Sequence, residues 1–320
     1  MNPVYRPEGS LLSLPENLES LSCPAALERA MEERRILEGT VLLCDSNLRL
    51  HVDLGCMRGI IDREEAVYCR FGEELKDIAI ITRVGKPVCF RVIGFTHIDG
   101  KRVARLSRRE AQRDCLHHYL RTLRTGDILP AKVTHMEPFG AFVDIGCGVS
   151  SLLSVDCLSV SRISHPSDRI SVGDSIYAVV KLIDRTLERI FVSMRELLGT
   201  WEENAARFEV GQTVPGIVRS IESYGVFVEL APNLAGLAEL RESGGDRATV
   251  TVGQPSVVYI KSMIPDRMKI KLVLIDAYRG TLPSSKIPYF IDCECVSHLN
   301  RWRYSPATSQ KIIETVFEEE

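Results

Sequence analysis

The chain has 320 residues, of which 45% are hydrophobic and 26% are charged. This is the composition of a folded globular protein rather than a disordered one. The net charge of −3 excludes a uniformly basic polyanion binder, and the absence of any long uncharged apolar run predicts no transmembrane helix.

Residues 1–35 are predicted to form an N-terminal helical segment, with a leading helix from Pro24 to Leu37. No basic run followed by an apolar core opens the chain, so no signal peptide is expected. The ten cysteines are scattered and include no C-x-x-C pair, a pattern typical of reduced thiols. These features predict a cytoplasmic protein.

Three similar units follow. EPFGAFVDIG (137–146) is nearly repeated as ESYGVFVELA (222–231), and HVDLGCMRGII (51–61) resembles FVDIGCGVSSLL (142–153). The similarity defines units at 36–108, 125–198 and 210–275. Each contains short alternating runs rich in Val, Ile and Phe, separated by Gly or Pro, which predicts short antiparallel strands that close a small barrel.

Two helices are predicted between the units. Residues 109–124 form a basic linker helix, and the stretch from Lys101 to Arg124 holds eight basic residues against two acids. Residues 199–209 form a second linker helix, for which Thr200 is a plausible N-cap. The first helix carries a stripe at i, i+4 spacing that consists of Arg109, Arg113, His117 and Arg121.

The tail, 276–320, is predicted to form a small C-terminal α/β or β element of unknown role. Cys293, Cys295 and His298 are three possible zinc ligands without an evident fourth, so a strand is favoured and no metal site is expected. Residues 301–304 alternate arginine with Trp and Tyr, which suits either an edge strand or a nucleic-acid contact. No cofactor is expected.

The second unit resembles the RNA-binding repeat of bacterial ribosomal protein S-one. The resemblance is carried by G-x-x-x-P, F-G-A-F-V-D-I, V-G-D-x-I-x-A-V-V-K-x-I-D and R-I-x-V-S between 126 and 193. It extends over 36–275, more weakly in the third unit and most weakly in the first. The stretches AMEERRILEGTV and MRGII resemble the shorter multi-repeat versions of that protein. The resemblance implies a mainly all-β chain of tandem OB-fold repeats, each a five-stranded β-barrel, joined by short helices.

The repeated motif has a physical interpretation. Because alternate side chains of a strand face opposite sides, Ala141, Val143 and Ile145 should fill the barrel, while Phe142 and Asp144 should face outward. Phe139 has the wrong parity to join Phe142, so a bulge or bend at Gly140 is expected to redirect it. Two exposed aromatic rings would then form a platform for successive bases.

The resemblance also implies basic and acidic residues beside these rings. In the second unit the expected RNA-binding residues are Phe139, Phe142, Lys181, Asp184 and Arg189. In the third unit they are Tyr224, Phe227, Lys261 and Lys269, with Asp266 in the place of Asp184. A histidine that the family often carries is replaced by Ser154 and Glu239, and the first unit has Leu48 and His51 in place of the aromatic pair.

Two interpretations of the function remain open. The first is a non-catalytic protein that holds single-stranded RNA, with mRNA as the expected partner and the small ribosomal subunit as a possible one. Arg109, Arg113 and Arg121 would then contact phosphates, unless they are simply a solvated helix face. The alternative is a protein-interaction scaffold with little RNA affinity, in which Phe139 and Phe142 belong to the core. No nucleotide-binding, metalloprotease or hydrolase motif occurs, so no enzymatic activity is expected.

Overall fold

The computed structural model describes residues 5–70, 72–239, 250–278 and 287–317. The N-terminal segment contains two short helices, α1 (Pro15–Leu21) and α2 (Pro24–Glu32), each with proline in its first turn. The predicted leading helix therefore ends earlier than expected. Arg34 adopts a left-handed conformation, with φ of 53°, just beyond α2, which stops the helix before the first strand begins at Leu37.

The first barrel is closed by five strands and contains one short helix, α3 (Asp77–Ile81). Its strands are β1 (Leu37–Cys44), β2 (Leu50–Asp53), β3 (Arg58–Ile61), β4 (Pro87–Ile98) and β5 (Lys101–Ser107). They are ordered β1-β2-β3-β5-β4, and only the β3–β5 pairing within this barrel is parallel.

Helix α4 (Arg108–Thr122) follows directly. Its N-cap Ser107 accepts a hydrogen bond from the N–H of Glu110 at 2.9 Å. The apolar face of this helix is packed into the core of the second barrel, where Leu116, Tyr119 and Leu123 are buried. One side of the helix thus packs against the second barrel, and the arginine stripe lies on a different side.

The second and third barrels repeat the five-stranded closure. The second contains β6 (Ile128–Glu137), β7 (Gly140–Asp144), β8 (Ser150–Ser154), β9 (Ser175–Asp184) and β10 (Arg189–Ser193). After α5 (Trp201–Ala205), whose N-cap is Thr200, the third contains β11 (Thr213–Glu222), β12 (Gly225–Ala231), β13 (Leu234–Glu239), β14 (Pro255–Ile264) and β15 (Lys269–Ala277). The mainly all-β fold of tandem five-stranded barrels is confirmed.

Buried ionic contacts join the N-terminal segment to both flanking barrels. Arg108 donates from Nε to Glu8 Oε1 at 2.6 Å and from Nη2 to Glu8 Oε2 at 2.9 Å, and both residues are buried. The N–H of Glu8 donates to the carboxylate of Asp144 at 2.7 Å, and the N–H of Cys89 donates to Glu8 at 3.1 Å. Because a buried charge is tolerated only when it is paired and hydrogen-bonded, these contacts fix the first barrel against the second.

A second buried network joins the second and third barrels. Arg169 donates from Nη1 to Glu229 Oε1 at 2.6 Å, and Arg219 hydrogen-bonds the same carboxylate. Asn233 donates from Nδ2 to the carbonyl oxygens of Arg195 and Gly199, both at 2.9 Å. The two barrels are therefore held in a defined relative orientation.

The tail forms a two-stranded sheet of β16 (Arg301–Arg303) and β17 (Glu314–Val316). Trp302 and Tyr304 are buried against the third barrel, so the alternating stretch serves as a strand with a buried aromatic face. The prediction of a strand at Cys293 and Cys295 was wrong, because both residues lie in a turn. In this turn Asp292 Oδ1 accepts a hydrogen bond from the N–H of Cys295 at 3.3 Å. Within the described residues, no cluster of His, Cys, Asp or Glu is placed to hold a metal ion.

Candidate nucleic-acid interface

The two phenylalanines of the second barrel lie side by side on its surface. Their ring centroids are 6.1 Å apart and the rings are perpendicular. Phe139 is 56% exposed, and Phe142 is partly exposed on β7. The interior positions Ala141, Val143 and Ile145 are fully buried, so the predicted alternation along this strand holds at the barrel core.

Of the bulge or bend expected at Gly140, the structure has no bulge there, and Phe139 is redirected by a tight turn just before the glycine. Glu137 pairs directly with Gly140, so Pro138 and Phe139 form a two-residue hairpin loop. The glycine is needed for a different reason: a Cβ atom there would lie 2.6 Å from the carbonyl oxygen of Leu153. The backbone of β8 approaches too closely for any side chain.

The third barrel reproduces this arrangement. The ring centroids of Tyr224 and Phe227 are 6.2 Å apart with an angle of 88° between the rings, and Tyr224 is 60% exposed. A Cβ atom at Gly225 would lie 2.7 Å from the carbonyl oxygen of Ala238, as at Gly140. The same sequence pattern therefore builds the same perpendicular pair in both barrels, with one exposed ring and one partly exposed ring.

Arg189 and Asp184 face each other across the hairpin that joins β9 to β10. Arg189 is exposed, whereas the Oδ1 atom of Asp184 accepts from the N–H groups of Thr186 at 3.0 Å and Leu187 at 2.9 Å. Asp184 therefore shapes the hairpin turn. The guanidinium of Arg189 remains at the surface, and its Nη2 atom lies 3.6 Å from Glu73 Oε1.

Lys181 lies on β9, facing the segment that follows β8. Its Nζ atom is 3.0 Å from Cys157 Sγ and 4.0 Å from Asp156 Oδ2. Partial burial lowers the pKa of Lys181, but the contacts with Cys157 and Asp156 outweigh it and raise the pKa overall. The ammonium group is thus kept charged and partly engaged within the protein.

In the third barrel the corresponding basic residues are exposed. Lys269 begins β15 opposite Ile264, and Lys261 lies on β14. Asp266 is exposed in the turn between these strands. The predicted charged residues of this barrel therefore share one hairpin, as Asp184 and Arg189 do in the second barrel.

Sequence reasoning missed His135, which lies directly beside Phe142. The two residues pair across β6 and β7, and their rings are 6.2 Å apart and inclined by only 22°. The imidazole is 62% exposed and contacts Glu137 Oε1 at 2.7 Å through Nε2. The signal that could have found it is the β6–β7 register, which a bulge between Val133 and His135 conceals.

The first barrel has no comparable pair of rings among its described residues. Leu48 lies in a turn with φ of 59°, and His51 is mostly buried with its Nε2 atom 3.1 Å from Asp45 Oδ2. Although partial burial opposes the shift, hydrogen bonds from the Arg49 N–H and from His51 lower the pKa of Asp45. His51 is therefore held as part of a local polar network.

The arginine stripe on α4 is largely paired with acids. Arg109 Nη2 lies 2.5 Å from Glu65 Oε1, and Arg113 Nε lies 3.4 Å from Asp114 Oδ1. Arg121 donates from Nε to the carbonyl oxygen of His117 at 3.0 Å, and the described residues give it no acidic partner. Of the three arginines, Arg121 is the one whose charge is least neutralised.

Comparison with known proteins matches one part of the chain to a family model. Residues 122–195 match the family model described as S1 RNA binding domain. The predicted resemblance is confirmed. Small ribosomal subunit protein bS1 of Staphylococcus aureus (strain COL) is 32% identical over 184 residues, which are 56% of this chain and 45% of that protein.

Other relatives show the same partial coverage. The bS1 protein of Staphylococcus epidermidis is 32% identical over 174 residues, or 52% of this chain and 43% of its own. The chain thus spans about half the length of the curated relatives it matches. A solved multidomain protein with nucleic acid binding domains from Streptococcus pneumoniae matches 78% of this chain and 76% of its own, at 17% identity and a TM-score of 0.24. No helix in the described part of the chain combines the length and apolar character needed to cross a membrane.

Proposed function

We propose that this protein holds single-stranded RNA on the open faces of its second and third barrels, without catalysing a reaction. The observation that carries the proposal is the repeated pair of perpendicular surface rings, in which exposed Phe139 and Tyr224 stand beside partly exposed Phe142 and Phe227. A soluble domain gains nothing in stability by exposing an aromatic ring, whereas each base stacked on such a ring contributes about 1–3 kcal/mol to binding.

The basic residues of the same faces would contact the RNA backbone. Arg189 and Lys269 occupy the same place at the start of the last strand in the two barrels, and both are exposed. Lys181 and Lys261 lie on the preceding strand. A groove that combines stacking rings with a few cations binds single strands with little preference for sequence.

We further propose that the bound RNA is mRNA and that binding takes place in the cytoplasm, at or near the small ribosomal subunit. The relatives named small ribosomal subunit protein bS1 support this proposal. It is tested by sedimenting the purified protein with small ribosomal subunits in the presence and absence of a short unstructured mRNA. Co-sedimentation is expected, and a protein that stays in the supernatant under both conditions would refute the ribosomal part.

The central test is a titration of the protein with short homopolymer RNAs at two salt concentrations. RNA binding that weakens as salt rises is expected, because contacts with phosphates release counterions. Absence of binding at low salt would instead favour a scaffold built from the same barrels. The matching double-stranded RNA serves as the control and should bind more weakly, since its bases are not available for stacking.

A further inference from the structure

The second barrel carries four directly paired residues across its open face. His135 on β6 pairs with Phe142 on β7, Phe142 pairs with Leu152 on β8, and Leu152 pairs with Phe191 on β10. Directly paired side chains of neighbouring strands lie next to each other on the same face of a sheet. We call these four positions the face row; in this barrel it is His, Phe, Leu and Phe.

The face row of the third barrel has the same two central residues but different ends. Ser220 on β11 pairs with Phe227 on β12, Phe227 pairs with Leu237 on β13, and Leu237 pairs with Lys271 on β15. The row is therefore Ser, Phe, Leu and Lys. The phenylalanine that belongs to the stacking pair is shared, while both outer positions have changed their chemistry.

In the second barrel both ends of the face row are aromatic. The exposed imidazole of His135 lies nearly parallel to the ring of Phe142, so the two rings form a continuous floor that is wider than a single side chain. Phe191, at the other end, is partly exposed and uncharged. The row itself attracts the faces of bases and, unlike Lys181 and Arg189 of the same barrel, offers no fixed charge to a phosphate.

In the third barrel the fourth position is a cation. Lys271 is exposed, and its Nζ atom is 3.9 Å from Glu239 Oε1, which is also exposed. A surface ion pair at this distance contributes little, so a phosphate can replace the carboxylate at low cost. Ser220, at the opposite end, has no ring on which a base could stack.

We propose that the two barrels hold one RNA strand with a different balance of contacts: the second relies more on the bases and the third more on the phosphates. The proposal rests on the proposed RNA-binding function. It assigns His135 and Lys271 as binding residues. Neither belongs to the aromatic pairs, and neither is one of the basic residues named above. The proposal also implies that the second barrel discriminates between RNAs by the stacking strength of their bases, with purines favoured, more strongly than the third does.

The first test concerns His135. His135→Ser gives the second barrel the residue of the third, and the exposed His97 of the first barrel provides the matched control His97→Ser. The probes are oligoadenylate and an abasic ribose-phosphate oligomer of the same length, both at low salt. His135→Ser should weaken oligoadenylate binding by about tenfold and leave binding of the abasic oligomer unchanged, while His97→Ser should change neither.

The second test concerns Lys271. Lys271→Gln should lower the slope of log affinity against log salt by about 0.7, the value for one phosphate on a single strand. Its matched control is Lys311→Gln, at an exposed lysine on the tail, which should leave the slope unchanged. Abasic binding should weaken as well, because the lost contact does not involve a base.

The outcomes separate this inference from the proposed function. If the wild-type protein binds neither oligomer, the RNA-binding function itself is refuted. If it binds oligoadenylate and Phe142→Ala weakens that binding, but His135→Ser and Lys271→Gln both behave as their controls do, the division between barrels is wrong. Equal loss of oligoadenylate and abasic binding in His135→Ser would also overturn it, because the imidazole would then contact the backbone.

Discussion

Glu73 of the first barrel lies beside Arg189 of the second, with Glu73 Oε1 3.6 Å from Arg189 Nη2. The segment that carries Glu73 is anchored to the same hairpin. Arg70 donates from Nε to the carbonyl oxygen of Glu188 at 2.8 Å, and Tyr68 donates from its hydroxyl to the Glu188 carboxylate at 3.1 Å. A carboxylate of the first barrel therefore stands where a phosphate would approach Arg189.

Removing this carboxylate should strengthen RNA binding. An exposed ion pair contributes about 0–1 kcal/mol, so Glu73→Gln should raise RNA affinity by up to about fivefold. The matched control is Glu74→Gln, at the exposed neighbouring residue, which should show a smaller gain from general charge alone. Equal gains in the two variants would show that the contact with Arg189 has no specific effect on binding.

The stripe on α4 should contribute through Arg121 alone. Arg109 and Arg113 already contact Glu65 and Asp114, so only Arg121→Gln is expected to lower the salt slope of RNA binding, by about 0.7. The helix should persist, because glutamine is nearly as good a helix former as arginine. The salt slope is measured by titrating the single variants Arg109→Gln, Arg113→Gln and Arg121→Gln with RNA at several salt concentrations. An unchanged slope for Arg121→Gln would identify the stripe as a solvated face.

Asp144 should make the folded protein more stable at mildly acidic pH. Burial, reinforced by the charge of Glu8, raises the pKa of this carboxyl to about 7, although N–H groups of Glu8 and Gly146 act in the opposite direction. Between about pH 4 and pH 7, the Asp144 carboxyl is therefore protonated in the folded state and ionised in the unfolded state. The stabilisation is present below that window and is lost as pH rises through it, by at most about 1.4 kcal/mol per pH unit.

Urea unfolding at pH 5 and pH 8 measures this effect. Cys147 titrates in the opposite sense, because hydrogen bonds from Cys115 and Cys89 lower its pKa to about 5. Asp144→Asn isolates the carboxyl: the loss of stability on going from pH 5 to pH 8 should be smaller in this variant than in the wild type. Asp53, the exposed equivalent in the first barrel, supplies the control Asp53→Asn. A pH dependence shared by all three proteins would contradict the assignment.

The barrels could be predicted because their determinants are local. The alternation of Ala141, Val143 and Ile145 specifies which face of one strand is buried, and all three are inside the barrel. The repeat then extends that prediction from one unit to the next. Helix α4 could be predicted for the same reason, since its N-cap Ser107 and the apolar spacing of Leu116 and Leu123 are local features of the sequence.

What failed depended on neighbours that are distant in sequence. Asp144 has the parity of an outward residue, yet it is buried because the N-terminal segment covers it and Glu8 donates to its carboxylate. His135 could not be placed beside Phe142 without the strand register. The turn at Cys293, by contrast, is local: Asp292 Oδ1 accepts hydrogen bonds from the N–H groups of Glu294 and Cys295, and these override the alternating pattern that favoured a strand.

Simultaneous truncation of one ring in each aromatic pair shows whether RNA is held by stacking on these surfaces. The double variant Phe142→Ala, Phe227→Ala is titrated with a short single-stranded homopolymer, and its thermal unfolding is recorded beside that of the wild type. The control is Phe95→Ala, at a partly buried phenylalanine of the first barrel whose ring lies 4.3 Å from the Arg102 guanidinium. We expect the double variant to lose about 1–3 kcal/mol of binding free energy per removed ring with little change in salt slope. Unchanged RNA affinity together with a large drop in melting temperature would show that these rings belong to the core, and would contradict the account.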